Sequence, residues 1–154
     1  MLPRADWQGL IPHAGAMCLL DRVLAWDGES IHAQASSHRA PDNPLRSGGR
    51  LRALHLCEYG AQAMAVHGGL LARARGGQAC PGLLATLRDV TLAVARIDDL
   101  EGDLDVHAWR LMATGQAMQY GFRVEHAGRV IADGRAAVVM QAEGGEDARA
   151  PMAG

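Results

Sequence analysis

Several features are missing from this 154-residue sequence, and each absence narrows what it can be. Its three cysteines (Cys18, Cys57 and Cys80) lie far apart, with no CxxC among them. An odd, scattered set excludes a disulfide frame and reads as reduced core thiols. No stretch approaches the roughly 18 continuous apolar residues of a membrane-spanning helix. The opening "MLPRADWQGL" has no apolar segment ahead of a cleavage site, so no signal peptide is expected and the protein is expected in the cytoplasm. Lysine is absent: all 15 basic residues are arginine, against 17 acidic ones, for a formal net charge of -2. Nucleic-acid-binding proteins usually carry a basic excess, so that class is disfavoured. The histidines show no HxxxH pair with a third ligand, so neither a metal site nor a cofactor is expected. What is present, 49% hydrophobic and 21% charged residues, suits one globular domain with a real core.

The pattern along the chain predicts an α+β plan. An apolar run over 18–27, the Asp27-Gly28 turn and the period-two alternation of Ile31, Ala33 and Ala35 within 30–37 predict a β-hairpin. Residues 38–50 concentrate Pro, Asp, Asn, Ser and Gly and predict a loop. Residues 51–75 are the best helix, with Leu54, Cys57, Ala61, Met64, Ala65 and Gly68 at helical spacing and small residues that let a sheet approach closely. Gly76-Gly77 and Pro81 end it. Strands are then expected at 82–97, 103–114, 117–126 and 129–141. Residues 1–142 form the expected domain, and the polar, Gly-rich tail 143–154 is expected to be disordered. An antiparallel sheet wrapped around one long helix leaves a sheet edge and part of the helix uncovered, so a dimer is expected.

Some residues carry candidate chemistry. Glu58 sits inside the apolar helix with Leu54, Ala61 and Gln62 around it, so no partner for an ion pair is offered one turn away. An ionisable group on a buried face must be paired or functional; the alternative is an exposed stripe. Gln62, one turn on, holds the carboxylate, reaches a substrate, or is a purely structural amide. Arg39, Arg46, Arg50 and Arg52 make a basic patch that would steer an acidic partner, or an ordinary solvated loop. The glycines of "SGGRL", Gly48 and Gly49, would let backbone approach a carbonyl beside Arg50.

Two motifs carry a resemblance. "LIPHAGAMCLLDRVLAWD" resembles the opening of 3-hydroxyacyl-ACP dehydratases of the hot-dog superfamily, and "LHLCEYGAQAMAVHGG" resembles their central helix with its glutamate. With "HRAPDNPLR" and "GLLATLRDV", the chain is most similar to the ApeP-like branch found in aryl polyene and xanthomonadin-type pigment clusters, over residues 7–141. The resemblance implies a hot-dog fold and a homodimer with active sites at the subunit interface. It also implies acyl chains carried on acyl carrier protein, no metal, and a loop histidine facing the helix glutamate of the other subunit. The Gly-His-Phe-Pro motif of the common branch is missing here, because His55 is the one histidine between Pro44 and Glu58 and it belongs to the helix. His13, from the Leu-Pro-His motif, and His38, at the start of the loop, are therefore the candidate bases, with Glu58 as the assisting acid. A hot-dog thioesterase, with Glu58 activating water, is the alternative enzyme. The missing motif favours a third possibility, a non-catalytic subunit paired with an active paralogue.

Overall fold

The computed structural model describes residues 1–77, 82–114 and 117–140; the expected tail and Cys80 lie outside the described residues. Its strands are β1 (Leu2–Pro3), β2 (Arg22–Trp26), β3 (Ser30–Ala35), β4 (Gly82–Leu92), β5 (Leu104–Thr114), β6 (Ala117–His126) and β7 (Arg129–Met140). They form one antiparallel sheet in the order β1-β2-β3-β5-β6-β7-β4. The helix α1 (Leu56–Ala74) joins β3 to β4, which lies at the far edge, so this connection has to cross the sheet face. An antiparallel sheet curled around a single long helix is the hot-dog fold. No helix of the described residues is long and apolar enough to cross a membrane.

Alternation builds the core. Ile31, Ala33 and Ala35 of β3, Leu104, Val106 and Ala108 of β5, and Tyr120, Phe122 and Val124 of β6 are all buried on the α1 side, at the period of two that a pleated strand imposes. Gly60 lets the helix settle onto this layer, since a Cβ there would stand 2.7 Å from Phe122 Cδ2. The side chains between these core positions face away from α1 and are polar. Among them His32 and His107 stack with ring centroids 4.1 Å apart, and each Nε2 meets a carboxylate, of Asp105 and Glu125 respectively.

Several expected boundaries need correction. The strand expected from residue 18 is β2 and begins at Arg22, and the short β1 ahead of it is an addition to the expected strands. Cys18, Leu19 and Leu20 are all buried, and side chains from elsewhere occupy their backbone groups: Gln62 takes Leu19 N–H, and Ser37 and Arg4 donate to the carbonyls of Leu19 and Leu20. The helix begins at Leu56 rather than 51, after a 3₁₀ turn over Ala53–His55. The strand expected over 82–97 stops at Leu92. Beyond it the chain turns to brace the run-in to α1: Ala53 N–H donates to Ala95 O at 3.0 Å, and Ile97 N–H to Leu51 O at 2.9 Å. Asp98 accepts from Leu51 N–H at 2.8 Å and pairs with Arg96, which holds its carboxyl far below the usual range.

The helix face is also corrected. Of the expected set, Cys57 and Met64 are buried, but the rest of the buried face is built by Leu56, Tyr59, Gly60, Ala63, Val66, His67 and Leu70 rather than by Leu54, Ala61, Ala65 and Gly68. Leu54 is 61% exposed, and Ala61, Ala65 and Gly68 are only half-buried. The helix is apolar nearly all round, so periodicity alone could not choose the side that meets the sheet.

Candidate active site

Two stretches meet here: the loop that carries His13, and the first turns of α1. The loop passes through a 3₁₀ turn at Gly15–Met17, where Gly15 adopts φ +58°, and then enters the buried run 18–20. Gln62 joins the two. Its Oε1 accepts from Leu19 N–H at 2.9 Å and its Nε2 donates to Met17 O at 2.6 Å, with the side chain 1% exposed. The amide is thus held by backbone, which is the structural use of Gln62 anticipated beside the substrate-contact one.

A second set of bonds fixes the loop on the other side. Ser37 Oγ donates to Leu19 O at 2.7 Å and lies 2.8 Å from the buried Tyr59 hydroxyl, to which Asn43 Nδ2 also donates at 3.3 Å. Burial pushes the Tyr59 hydroxyl pKa up, so it stays protonated as a hydrogen-bonding post. Sequence reasoning missed Ser37, Asn43 and Tyr59. The available signal was a tyrosine next to Glu58 on an apolar helix, whose hydroxyl would need a partner if buried.

Glu58 lies on the exposed side of the helix, as in the alternative reading, and not on a buried face; it has no hydrogen bond or ion pair among the described residues. Its surroundings explain why this is unusual. Leu54 one turn before it is exposed, and Ala61 and Ala65 after it are half-buried. On the edge strand β4, Leu87 and Leu92 pair with the core residues Ala136 and Ala132, so they share the α1 face of the sheet while remaining 39% and 37% exposed. Among the described residues, an apolar helix stripe with one carboxylate in it stays open, as does the side of the edge strand that carries Leu87 and Leu92.

His13 is half-buried, and its Nδ1 is covered with no hydrogen-bond partner. A covered bare lone pair costs less than a covered N–H, so the neutral ring carries its hydrogen at Nε2 unless an acceptor arrives at Nδ1. His38 is 0% exposed, and its Nε2–H donates to Leu100 O at 2.9 Å. Burial lowers its pKa, and its ring faces the 98–103 loop. Of the two candidate bases, His13 alone is not fully buried.

The remaining expected positions fall out as follows. Gly48 (φ +60°) and Gly49 (φ +74°) form a tight exposed turn in which Ser47 and Arg50 exchange backbone bonds, a two-residue hairpin that demands positive φ. The 3₁₀ turn separates them from the start of α1. Arg50 and Arg52 are exposed without ion pairs among the described residues. Arg46 is tied to the carbonyls of Gly49 and His38, and Arg39 lies 3.8 Å from Asp103. A cleft of about 530 Å³ opens between the His13 loop and the 36–43 loop, lined by Arg4, Cys18, Asp21, Ser37, Arg39 and Asn43 among others; neither His13 nor Glu58 lines it. No group of three or more His, Cys, Asp or Glu side chains that would suit a metal ion occurs among the described residues.

Comparison with known proteins supplies the family. The model of the ApeP-like family, described as ApeP dehydratase, matches residues 5–149. Among solved structures, the dehydratase heterocomplex ApeI:P from Xenorhabdus doucetiae superposes with a TM-score of 0.80 at 22% identity, covering 93% of both chains. A Shewanella oneidensis protein described as a thioesterase gives 0.61 at 11% identity, covering 90% of this chain and 94% of that one. A hypothetical thioesterase from Streptococcus pneumoniae, solved with coenzyme A, gives 0.59 at 9%, covering 91% and 98%. At these identities the structures establish the shared fold. No curated protein matches the chain. With a family model spanning nearly its whole length, the chain belongs to the ApeP-like family of dehydratases.

Proposed function

We propose that this protein dehydrates 3-hydroxyacyl thioesters carried on acyl carrier protein, in an aryl polyene or related fatty-acid-like pathway. Its site is completed by a second hot-dog subunit. The observation that carries the proposal is Glu58, a carboxylate unpaired among the described residues, in an exposed and otherwise apolar helix stripe of a dehydratase-family chain. A partner laid over this stripe would enclose the carboxyl group beside a bound acyl chain. A protonated carboxyl can hand its proton to a leaving hydroxyl.

The elimination then balances as follows. His13 takes the proton from C2 of the acyl chain, the C2–H electrons form the C2–C3 double bond, and the C3–O bond breaks. Glu58 protonates the departing oxygen, so water and an enoyl thioester leave. This step requires the other tautomer of His13, with the hydrogen on Nδ1 against an acceptor that the assembled site would supply and Nε2 bare toward the substrate. His38, enclosed and hydrogen-bonded to Leu100, is the weaker candidate base. Arg50 and Arg52 remain free to meet an acidic carrier.

The second subunit is a further copy of this chain or a hot-dog paralogue. The structural likeness to one component of a dehydratase heterocomplex favours the paralogue. The test is an assay of a 3-hydroxyacyl-ACP with the purified chain, alone and mixed with hot-dog subunits from its own genome. An enoyl product supports the proposal. A free acid identifies a thioesterase, and no turnover in any combination rejects both.

A further inference from the structure

Resting on the dehydratase proposal above, we infer that Gln62 is a positioning residue that sets where His13 sits relative to α1. Among the described residues, its two amide bonds, to Leu19 N–H and Met17 O, are the only hydrogen bonds joining residues 13–19 to α1. They grip the loop on both sides of Cys18 and only four residues beyond His13, with Gly15 in the left-handed region between them. Four residues span at most about 14 Å, so the hold at Met17 bounds how far His13 can lie from α1.

The same amide stands one helical turn beyond Glu58. Gln62 thereby ties the loop bearing the proposed base to the helix bearing the proposed acid. With both polar ends engaged and the side chain 1% exposed, Gln62 offers a substrate almost nothing directly. Its contribution acts through His13. General-base chemistry is steep in distance, and a displacement of about 1 Å costs on the order of 10²-fold in rate.

Two substitutions and one native-state measurement test this in the complete, active assembly. Gln62→Met keeps length and apolar volume while removing both bonds. It is expected to lower kcat by roughly 10- to 100-fold, with KM within about threefold, and to move the His13 ring signals in NMR. Gln62→Glu is a pH-dependent rescue. Its protonated carboxyl both donates and accepts, so it restores the grip at acid pH, and its activity falls as the carboxyl ionises and faces Met17 O. Gln62→Met, by contrast, stays slow at every pH. A merely structural role would scale activity with the folded fraction and leave the His13 signals and the pH profile unmoved, which overturns the inference. A raised KM at unchanged kcat overturns it too, in favour of direct substrate contact. Should neither variant fold, hydrogen exchange on the wild type decides: protection of Leu19 N–H comparable to that of the core strands supports the clamp, and fast exchange rejects it. His13→Ala and Glu58→Gln run alongside. If both are fully active, the dehydratase proposal has failed; if both are inactive while Gln62→Met is fully active, only the positioning role has.

Discussion

The buried His67 makes folding acid-sensitive in a way that one substitution can expose. Its ring is 0% exposed and both nitrogens are engaged: Nε2–H donates to Asp27 O at 2.8 Å, and Nδ1 accepts from the Tyr120 hydroxyl at 2.8 Å. The Tyr120 pKa is itself pushed up to about 12 by burial, so the hydroxyl keeps its proton. Protonating His67 would turn the Nδ1 acceptor into a donor and strand a charge in the core; burial accordingly lowers its pKa below the ordinary 6.5. Between the lowered folded value and 6.5, the unfolded chain binds more protons than the folded one. Stability is therefore complete above about pH 6.5 and falls as pH drops toward the folded value, with a slope of up to about 1.4 kcal/mol per pH unit from this residue. His38 and His107, whose pKa values burial also lowers, add to the slope in the same direction. His67→Leu deprives the Tyr120 hydroxyl and the Asp27 carbonyl of a partner, costing about 2–4 kcal/mol at pH 7.5. Because leucine does not titrate, the gap from wild type should shrink by up to about 1.4 kcal/mol per pH unit below 6.5. Urea unfolding of both proteins at pH 7.5, 6.5 and 5.5, at constant ionic strength, measures it. A gap that stays constant over that range would refute the reasoning.

Further outcomes follow from the packing and from the open face. Gly60→Ala gains about 1 kcal/mol of helix propensity but drives a methyl to 2.8 Å from Phe122 Cγ, in a ring with no exposed surface to yield into. Overpacking of about 1–3 kcal/mol wins, so the melting temperature should fall by about 2–4 °C in calorimetry. Leu54→Asp alters a side chain that is 61% exposed in the single chain, so its effect on monomer stability should stay within about 0.5 kcal/mol. The same change should shift the assembly toward monomer in sedimentation velocity if the stripe is the interface; an unchanged distribution places the interface elsewhere. Gly48→Ala should destabilise by about 1 kcal/mol through its positive φ while leaving kcat at the wild-type level, as measured by thermal melts and the dehydration assay.

Much of the architecture is legible in the residues because strands and helix have different periods. The alternation of Ile31, Ala33 and Ala35 locates β3, and three of the four long strands of the second half lie within a residue of their expected positions, while β4 ends early. Legibility fails where tertiary partners decide. The buried run 18–20 looks like a strand, but its backbone is taken by side chains from 4, 37 and 62. The helix presents apolar residues on both sides, so its sheet-facing side emerges only when Phe122 meets Gly60. His38 lies in a segment whose Pro, Asp and Asn suggest solvent, yet a 3₁₀ turn tucks its ring against Leu100. At the candidate site, the absence of an ion-pair partner one turn from Glu58 is legible, but its place on the exposed side of α1 is not, because apolar residues flank it on both sides of the helix. The bonds that support the His13 loop were not visible, because they join residues 18 to 45 positions apart.

The central claim is that Glu58 supplies the acid for dehydration. It is tested most directly by the initial rate of enoyl-ACP formation from a 3-hydroxyacyl-ACP, comparing wild type with Glu58→Gln in the assembled enzyme. Glutamine keeps the shape and polarity but has no proton to give at a useful pKa, so the account predicts a loss of roughly 10²- to 10⁴-fold in kcat with folding and assembly intact. A Glu58→Gln enzyme that turns over at the wild-type rate would contradict it.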